Sequence, residues 1–189
     1  MKNIIMQKQI INSTMEDIDT IFKFYDMAID FQKKVFHKQW EGFERSLVET
    51  EIKENRQWKI IENGKVACTF VITFNDTFIW KERDKQPSIY IHRIVTNPEF
   101  RGKNYVNDII LWAKQYCKEQ KRDFIRLDTW GDNHKLIDYY VQCGFTFLEI
   151  IPIDNVPEGG NSSLPKHYKG TLALFEIPVY AEGMPSGEI

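Results

Sequence analysis

The sequence predicts an α+β domain built on a single mixed sheet with helices on both faces. Apolar residues recur at helical spacing near the start, a β-rich hairpin follows, and a strand-helix-strand-helix-strand unit occupies the centre. A doubly wound fold needs more crossovers than this order of elements contains. The sheet is therefore expected to be mostly antiparallel, with hairpins early and late in the chain.

Two helices are expected before the first hairpin. Ser13 and Glu16, three residues apart, fit the capping box that begins many helices. The apolar residues that follow recur at helical spacing, which predicts a long helix over about 15–36. A second, more polar helix is expected over about 41–54.

The strands and the later helices are predicted from changes of period and from turn residues. The segment "QWKIIENGKVACTFVITF" consists of two β-rich runs around Asn63 and Gly64, which is a strong hairpin signal. The elements expected after this hairpin are a strand over 88–96, a helix over about 105–120, a strand over 123–130, a helix over 133–144, and strands at "FTFLEI" and "TLALFEIPV".

Length and composition favour one domain. The chain has 189 residues, of which 42% are hydrophobic, and this is enough for one compact core. We expect residues 1–178 to form a single domain and residues 179–189 to form a frayed tail. The one long turn-rich loop is expected over 152–170.

Charge and hydrophobicity exclude several classes of function. The 25 basic and 27 acidic residues leave a formal net charge of −2, which argues against a general nucleic-acid or anionic-membrane surface. No stretch approaches the roughly 20 apolar residues of a membrane span. The first residues lack the apolar run and the cleavage site of a secretory signal. A cytoplasmic protein without nucleic-acid or membrane partners is expected.

Cysteine and histidine spacing gives no sign of a metal site. The cysteines Cys68, Cys117 and Cys143 are odd in number, widely spaced and placed in apolar patterns, which indicates reduced core thiols. The four histidines show no metal-ligand spacing. The protein is therefore expected to work without a metal.

The loop over 99–104 connects the strand 88–96 to the next helix. A glycine-containing turn that feeds a helix directs free backbone N–H groups at a ligand, and such groups bind phosphate. Gly102 lets a ligand come close, and Arg101 and Lys103 add mobile positive charge. The P-loop and dinucleotide patterns are both absent. On these residues alone, a phosphate site and a solvated turn that binds nothing both stay open.

A wider segment around this loop resembles the GNAT-type N-acetyltransferase superfamily. In "IVTNPEFRGKNYVNDII" a strand is followed by Pro98 and a turn centred on Gly102 that opens a helix, similar to the family's cofactor motif. Glu99 stands where that motif has Gln or Arg, and Asn104 stands where it has Gly or Ala. Asparagine tolerates the left-handed conformation, so the turn is still expected to form.

A second segment is similar to the same family's downstream pattern. In "WGDNHKLIDYYVQCGFTFL" an asparagine, Asn133, begins a helix, and Tyr140, Gly144 and Phe145 fill the places at its end. The resemblance spans roughly residues 8–177.

The resemblance implies that acetyl-CoA is the co-substrate. It would lie in a V-shaped opening where two parallel central strands, 88–96 and 123–130, splay apart. A backbone N–H along the pantetheine arm would polarise the thioester carbonyl. The residues implied in cofactor binding are Ile94, Val95 and Thr96 along the pantetheine arm, Arg101, Gly102, Lys103, Asn104, Tyr105 and Val106 around the pyrophosphate, and Asn133.

The resemblance also implies catalytic roles. Tyr140 is expected to protonate the CoA thiolate as a general acid, and a purely structural aromatic residue is the alternative. His92 is the first candidate for the base, because it lies on the central strand and titrates near neutral pH. Asp128, Glu149 and a water relay are the other candidates, and a histidine with only a structural role also fits. Asn133 serves equally well as a helix cap alone.

The acceptor is expected to be a primary amine of a small molecule or a peptide. Its end of the site would be shaped by the first two helices and the loop 152–170. Some of seven aromatic residues are expected to line it, namely Phe22, Tyr25, Phe31, Phe36, Trp40, Trp80 and Trp130.

These observations together predict an acetyl-CoA-dependent N-acetyltransferase that transfers acetyl directly in a ternary complex. Direct transfer is favoured because no cysteine lies in a catalytic setting. A non-catalytic acyl-CoA-binding sensor of the same fold and an interaction domain with an empty cleft are the alternatives. A monomer and a homodimer both stay open.

Overall fold

The computed structural model describes residues 8–154 and 169–179. The strands among these residues are β1 (Gln9–Asn12), β2 (Gln57–Glu62), β3 (Lys65–Thr73), β4 (Ser88–Thr96), β5 (Phe124–Trp130), β6 (Thr146–Ile153) and β7 (Gly170–Pro178). The α-helices are α1 (Ile18–Val35), α2 (Arg45–Lys53), α3 (Thr77–Trp80), α4 (Tyr105–Gln120) and α5 (His134–Gln142). Short 3₁₀ turns cover Met15–Asp17, Lys81–Lys85 and Pro98–Phe100.

The strands form one mixed sheet in the order β1-β2-β3-β4-β5-β7-β6. Within it, β4 and β5 pair in parallel and every other neighbouring pair is antiparallel. The predicted α+β class with a mostly antiparallel sheet is confirmed. No helix in the described parts of the chain is long and apolar enough to cross a membrane.

Several predicted elements have the observed bounds or nearly so. The strand over 88–96 and the helix over 105–120 coincide with β4 and α4. The hairpin is also confirmed, because Asn63 and Gly64 both have positive φ, 55° and 74°, as a type I′ turn requires. Residues 155–168 of the expected loop and residues 180–189 of the expected tail lie outside the described residues.

The start of the chain differs from expectation in two ways. The edge strand β1, which pairs antiparallel with β2, was not predicted. The expected capping box of Ser13 and Glu16 is wrong by one residue. Thr14 is the N-cap, and its backbone N–H donates to Asp17 Oδ2 over 2.7 Å. Ser13 is instead buried at the end of β1, where its backbone N–H donates to the carbonyl of Gln57.

The central strands separate part of the way along. β4 and β5 are paired only from Ser88 with Phe124 to Tyr90 with Arg126. Beyond that point β4 stays paired with β3, whereas β5 stays paired with β7 as far as Trp130. Because each strand follows its outer neighbour, an opening forms between residues 91–96 and 127–130.

A β-bulge bends β4 at the opening. The pairing with β3 shifts register between Val71–His92 and Thr69–Val95, and Arg93 between them has φ of 49°. The Arg93 guanidinium is buried, donates to Glu51 on α2, and lies over the ring of Phe43 at 4.8 Å. A bulge increases local bend and twist, so this anchored arginine helps to hold β4 away from β5.

The two faces of the sheet carry different helices. Ile91 and Leu127 pack in one cluster with buried side chains of α4, whereas Tyr90 and Trp130 pack in another with Trp80 of α3. Side chains alternate along a strand, so His92 and Asp128 share the face of Tyr90 and Trp130. The opening therefore lies between an α4 and α5 face and an α1 and α3 face.

Candidate active site

A cavity of about 620 Å³ occupies the opening and reaches both faces of the sheet. Its walls include the six residues of β4 from Ile91 to Thr96 and the four residues of β5 from Leu127 to Trp130. The α1 helix and the loop after it close one side, and Asn133, Leu136 and Tyr140 close the other. The strand residues predicted for the pantetheine arm, Ile94, Val95 and Thr96, all line this cavity.

A smaller cavity of about 270 Å³ lies at the loop before α4. It is lined by all six residues from Arg101 to Val106, together with Thr96 and Tyr139. Gly102 has φ of 81°, and a Cβ built there meets no heavy atom of the described residues within 4 Å. The residues predicted to hold a pyrophosphate are therefore brought together around an open volume at the start of a 16-residue helix.

Asn104 adopts the left-handed conformation expected of it. Its φ and ψ are 55° and 49°, and it is the N-cap of α4. Its side-chain Oδ1 accepts a hydrogen bond of 3.0 Å from the Tyr139 hydroxyl on α5. An asparagine at this position thus has a partner, and the partner ties the loop to α5.

Lys103 does not supply the mobile positive charge expected of it. Its Nζ donates to Glu62 Oε1 over 2.5 Å, and Glu62 also accepts from the Tyr105 hydroxyl over 2.5 Å. These two hydrogen bonds hold the pKa of Glu62 below its usual range, and the one from Lys103 has the larger effect. Arg101 instead lies over the Phe31 ring at 4.2 Å and lines both cavities. Both cations line the smaller cavity, but of the two only Arg101 also lines the larger one.

The α5 helix places two predicted residues against the larger cavity. Asn133 caps the helix, because its Oδ1 accepts from the Leu136 backbone N–H over 3.2 Å. Tyr140 packs its ring against Phe145 and Phe175 at centroid distances of 5.9 and 5.7 Å. Burial raises the pKa of Tyr140, so its phenol keeps its proton at neutral pH, as a general acid must.

His92 lies in the cavity wall but is a weak base there. Its Nε2 is 3.1 Å from Thr73 Oγ1 and 3.9 Å from Asp76 Oδ2. Burial lowers the pKa of His92 to about 3, and the charges of Arg93 and Arg56 add to that effect. The imidazole is therefore neutral at physiological pH and binds a proton poorly.

The alternative bases predicted from the sequence differ sharply in position. Asp128 lines the cavity, and burial raises its pKa to about 7. Glu149 is outside the lining and pairs with Arg83 at 3.0 Å on the exposed surface of β6. Asp76, which the sequence did not single out, is outside the lining and has a carboxylate oxygen within 4.8 Å of one of Asp128. Burial, and then the charge of Asp128, raise the pKa of Asp76 to about 8.

The sequence did contain one signal for Asp76. It lies directly before the short helix α3, at the N-cap position that aspartate favours. That signal indicates a helix start rather than a functional site. Asp76 lies near His92 and Asp128 because β3, β4 and β5 are neighbours in the sheet, and no local sequence pattern predicts that strand order.

Asp76, His92 and Asp128 form a group with metal-ligand atom types. One ligand atom from each lies within 4.8 Å of the others. Two ligands of a tetrahedral zinc ion are roughly 3.4 Å apart, given bonds of about 2.0–2.1 Å. Two acceptors of one ammonium group are roughly 4.6 Å apart, given hydrogen bonds of about 2.8 Å. The bound of 4.8 Å covers both values, and the distance of 3.9 Å from His92 Nε2 to Asp76 Oδ2 lies between them, so the spacing fits either kind of group.

Four of the seven predicted aromatic residues reach the cavity. Phe31, Phe36, Trp40 and Trp130 line it. Tyr25 and Trp80 are buried elsewhere, Tyr25 against Phe43 at 4.8 Å and Trp80 against Tyr90 at 5.4 Å. Phe22 packs with Tyr25 outside the lining. Helical spacing identified the apolar face of α1 without distinguishing core from cavity.

The cysteines do not reach the larger cavity. Cys68 and Cys117 are buried, and burial raises the pKa of each thiol to about 12. Cys143 is half-buried after α5, with its Sγ 3.8 Å from Asn104 Oδ1. All three are free thiols, and none is placed or ionised as a nucleophile needs to be.

Comparisons with known proteins agree with this geometry. A model of the acetyltransferase (GNAT) family matches residues 18–145. The chain is 27% identical over 73 residues to the uncharacterized N-acetyltransferase YesJ of Bacillus subtilis, covering 39% of this chain and 41% of YesJ. It is 26% identical over 155 residues to the uncharacterized N-acetyltransferase MJ1207 of Methanocaldococcus jannaschii, covering 79% of this chain and 65% of MJ1207. The matches thus cover less than two thirds of either relative.

Solved structures share the fold. A GNAT family acetyltransferase from Listeria monocytogenes superposes with a TM-score of 0.71 at 20% identity, covering 94% of this chain and 98% of that one. The putative acetyltransferase yncA from Salmonella typhimurium, solved with its cofactor acetyl-CoA, gives 0.64 at 13% identity, covering 95% and 98%.

Proposed function

The chain belongs to the GNAT family of acetyltransferases, and from this we propose that it is an acetyl-CoA-dependent N-acetyltransferase. It transfers acetyl directly to a primary amine of a small molecule or a peptide. The observation that carries the proposal is the cavity between β4 and β5. This cavity joins one face that holds a protonated tyrosine to another that holds a carboxyl group.

The residues around the opening fit acetyl-CoA. Among the described strands, the edge of β4 that faces β5 has no partner beyond Tyr90, so the backbone of Ile94, Val95 and Thr96 is free to pair with the pantetheine arm. The backbone N–H groups over 101–106 and the Arg101 guanidinium would hold the pyrophosphate at the start of α4. Asn133 would add a polar contact at the start of α5.

Tyr140 serves as the general acid in this proposal. The amine attacks the thioester carbonyl carbon, a C–N bond forms, the C–S bond breaks, and the sulfur takes the phenolic proton of Tyr140. A backbone N–H of β4 stabilises the charge that develops on the carbonyl oxygen. Transfer without an acetyl-cysteine intermediate is supported by the burial of Cys68 and Cys117 away from the cavity.

Binding and turnover of acetyl-CoA test this function. A ligand that binds the native state raises its stability, so acetyl-CoA at about 100 times its Kd is expected to raise the unfolding free energy by about 2.7 kcal/mol. A thioester-cleavage assay with a panel of primary amines is expected to show turnover. Binding without turnover by any amine would indicate an acyl-CoA sensor instead, and no thermal shift would indicate an interaction domain.

Gly102→Ala is expected to weaken acetyl-CoA binding at least about tenfold. A Cβ at Gly102 occupies the open volume in front of the loop, and φ of 81° strains any side chain there. Gly64→Ala is a matched control, because Gly64 has φ of 74° and equally open surroundings in the distant hairpin. Isothermal titration of both variants separates the two effects. Equal affinities in both variants would contradict the loop assignment.

A further inference from the structure

Asp128 has a distinctive position in the larger cavity. It is the one carboxylate among the described residues that line it. It lies on the α1 and α3 face of the sheet, whereas Tyr140 approaches from the α5 side, so the cavity separates an acid from a potential base. Because the thiolate leaves toward the acid, the amine is expected to arrive from the face of Asp128.

Asp76 gives Asp128 an unusual neighbour. The Asp76 side chain is only 8% exposed, and its Oδ2 has no hydrogen-bond partner among the described residues. Asp128 Oδ1 is likewise buried without a partner. Two neighbouring carboxyl groups without cations repel each other when both are ionised, so together they hold a proton at neutral pH. The Ile79 backbone bonds Asp76, but a buried carboxyl pair without a cation is still costly to fold, and such pairs cluster at functional sites.

The charged and titratable groups near Asp128 come from three elements. Asp76 follows β3, His92 is on β4, and Tyr140 is on α5. The charge of Asp128 adds to the rise in the pKa of Tyr140. The charge of Asp84 acts on Asp76. No lysine or arginine is bonded to either carboxyl group in the described parts of the chain. The pair therefore lacks a positively charged partner, and the ammonium group of an amine would supply one.

We propose that Asp128 is the catalytic base that takes the proton of the acceptor, that Asp76 is a positioning residue that shares this proton, and that the acceptor is a primary monoamine with an apolar body. The inference rests on the proposed N-acetyltransferase function and names the substrate class and the base of that same site.

The proposed proton transfers balance. The ammonium form of the acceptor gives one proton to Asp128, and its neutral nitrogen then attacks the thioester carbon. The C–N bond forms, the C–S bond breaks, and the sulfur takes the proton of Tyr140. The second nitrogen proton passes through water to the Tyr140 phenolate, and the Asp128 proton goes to solvent with the products. The net reaction converts one ammonium ion and one thioester into one amide, one thiol and one free proton.

The walls on the Asp128 side indicate the body of the acceptor. They are mostly apolar and include Ala28, Phe31, Val35, Phe36, Trp40 and Trp130, while the polar residue Gln32 on α1 accepts a hydrogen bond at its Oε1 from the Trp40 backbone N–H. A polyamine or an aminosugar has several polar groups, and each would lose hydrogen bonds to water against such walls. An amine with one nitrogen and an alkyl or aryl body instead places its only polar group at Asp128.

Asparagine variants of the two aspartates test the proton path. Asp128→Asn is expected to lower kcat about 100-fold or more and to remove the acid limb of the pH profile of kcat/KM. Asp76→Asn is expected to keep measurable turnover but to move that limb to lower pH, because a like charge beside Asp128 is gone. Asp123→Asn, an exposed position just before β5, is the control and is expected to change neither.

Acetyl-CoA binding keeps this test separate from the proposed function. All three variants are expected to retain the acetyl-CoA-induced thermal shift, which shows that they are folded. Wild-type turnover with undiminished turnover of Asp128→Asn would overturn the base assignment while leaving the N-acetyltransferase function intact. An Asp76→Asn variant whose acid limb does not move would overturn the shared proton. Absence of turnover in the wild type itself would instead overturn the proposed function.

An amine panel tests the acceptor class. Phenethylamine and hexylamine are expected to give kcat/KM at least about tenfold above spermidine, an aminoglycoside or a free amino acid. A preference for any of these polar amines would overturn the apolar-bodied class and leave the role of Asp128 to be judged by its own variants.

Discussion

Tyr140→Phe is expected to lower kcat by about 100-fold and to leave acetyl-CoA affinity within about twofold. The change removes one hydroxyl, while the ring keeps its contacts with Phe145 and Phe175. Loss of the acid leaves the thiolate to depart without a proton, and this penalty arises in the transition state rather than in binding. Single-turnover kinetics with isothermal titration of acetyl-CoA measures both quantities.

The neighbouring tyrosine provides a matched control. Tyr139 is also on α5, but its hydroxyl donates to Asn104 Oδ1 at the loop before α4. Tyr139→Phe frees the asparagine side chain, so we expect acetyl-CoA affinity to fall severalfold while kcat stays near that of the wild type. If the two variants show the same pattern of change, Tyr140 has no role of its own in protonation.

The β2–β3 hairpin, the loop before α4 and α4 itself were predictable because each depends on local signals. β4 and α4 have their predicted bounds, since a run of apolar strand residues ends at a glycine turn and a periodic helix follows at once. The left-handed conformation at Asn104 also follows from residue type alone. β1, by contrast, is a four-residue edge strand that exists because β2 offers it hydrogen bonds.

The errors at the site have a common physical cause, which is contact between residues distant in sequence. Lys103 was expected to be mobile, but its Nζ donates a hydrogen bond to Glu62, which lies 41 residues earlier in the chain. His92 looked like a base because its ordinary pKa is near neutral, but burial by the fold lowers that pKa to about 3. Residue type and turn pattern located segments that line the two cavities, whereas ionisation depends on burial and on neighbours that only the fold brings together.

The carboxyl pair also has a consequence for stability. Burial raises the pKa of Asp128 to about 7, and burial with the charge of Asp128 raises that of Asp76 to about 8, above the ordinary value of 3.8. Between about pH 4 and pH 8 the folded state therefore holds protons that the unfolded state has released. Stability falls as pH rises wherever the folded state binds more protons, so the pair's contribution declines across this window and is lowest above it.

Asp76→Asn is accordingly expected to raise the unfolding free energy at about pH 8.5 by at least about 2 kcal/mol and to change it much less at about pH 5. Urea unfolding of wild type and variant at both pH values measures the difference. Wild type and variant are compared at the same pH because His92 also makes stability depend on pH. Its pKa is lowered, so its contribution to the unfolding free energy rises with pH up to about pH 6.5, and this contribution largely cancels between the two proteins. Asp123→Asn serves as the exposed control.

Equal stabilisation at both pH values would mean that the gain comes from packing, and that the pair does not hold a proton in the folded state. Stabilisation confined to high pH, together with a displaced acid limb, would show that the protein tolerates a costly buried charge at the position where the amine must lose its proton.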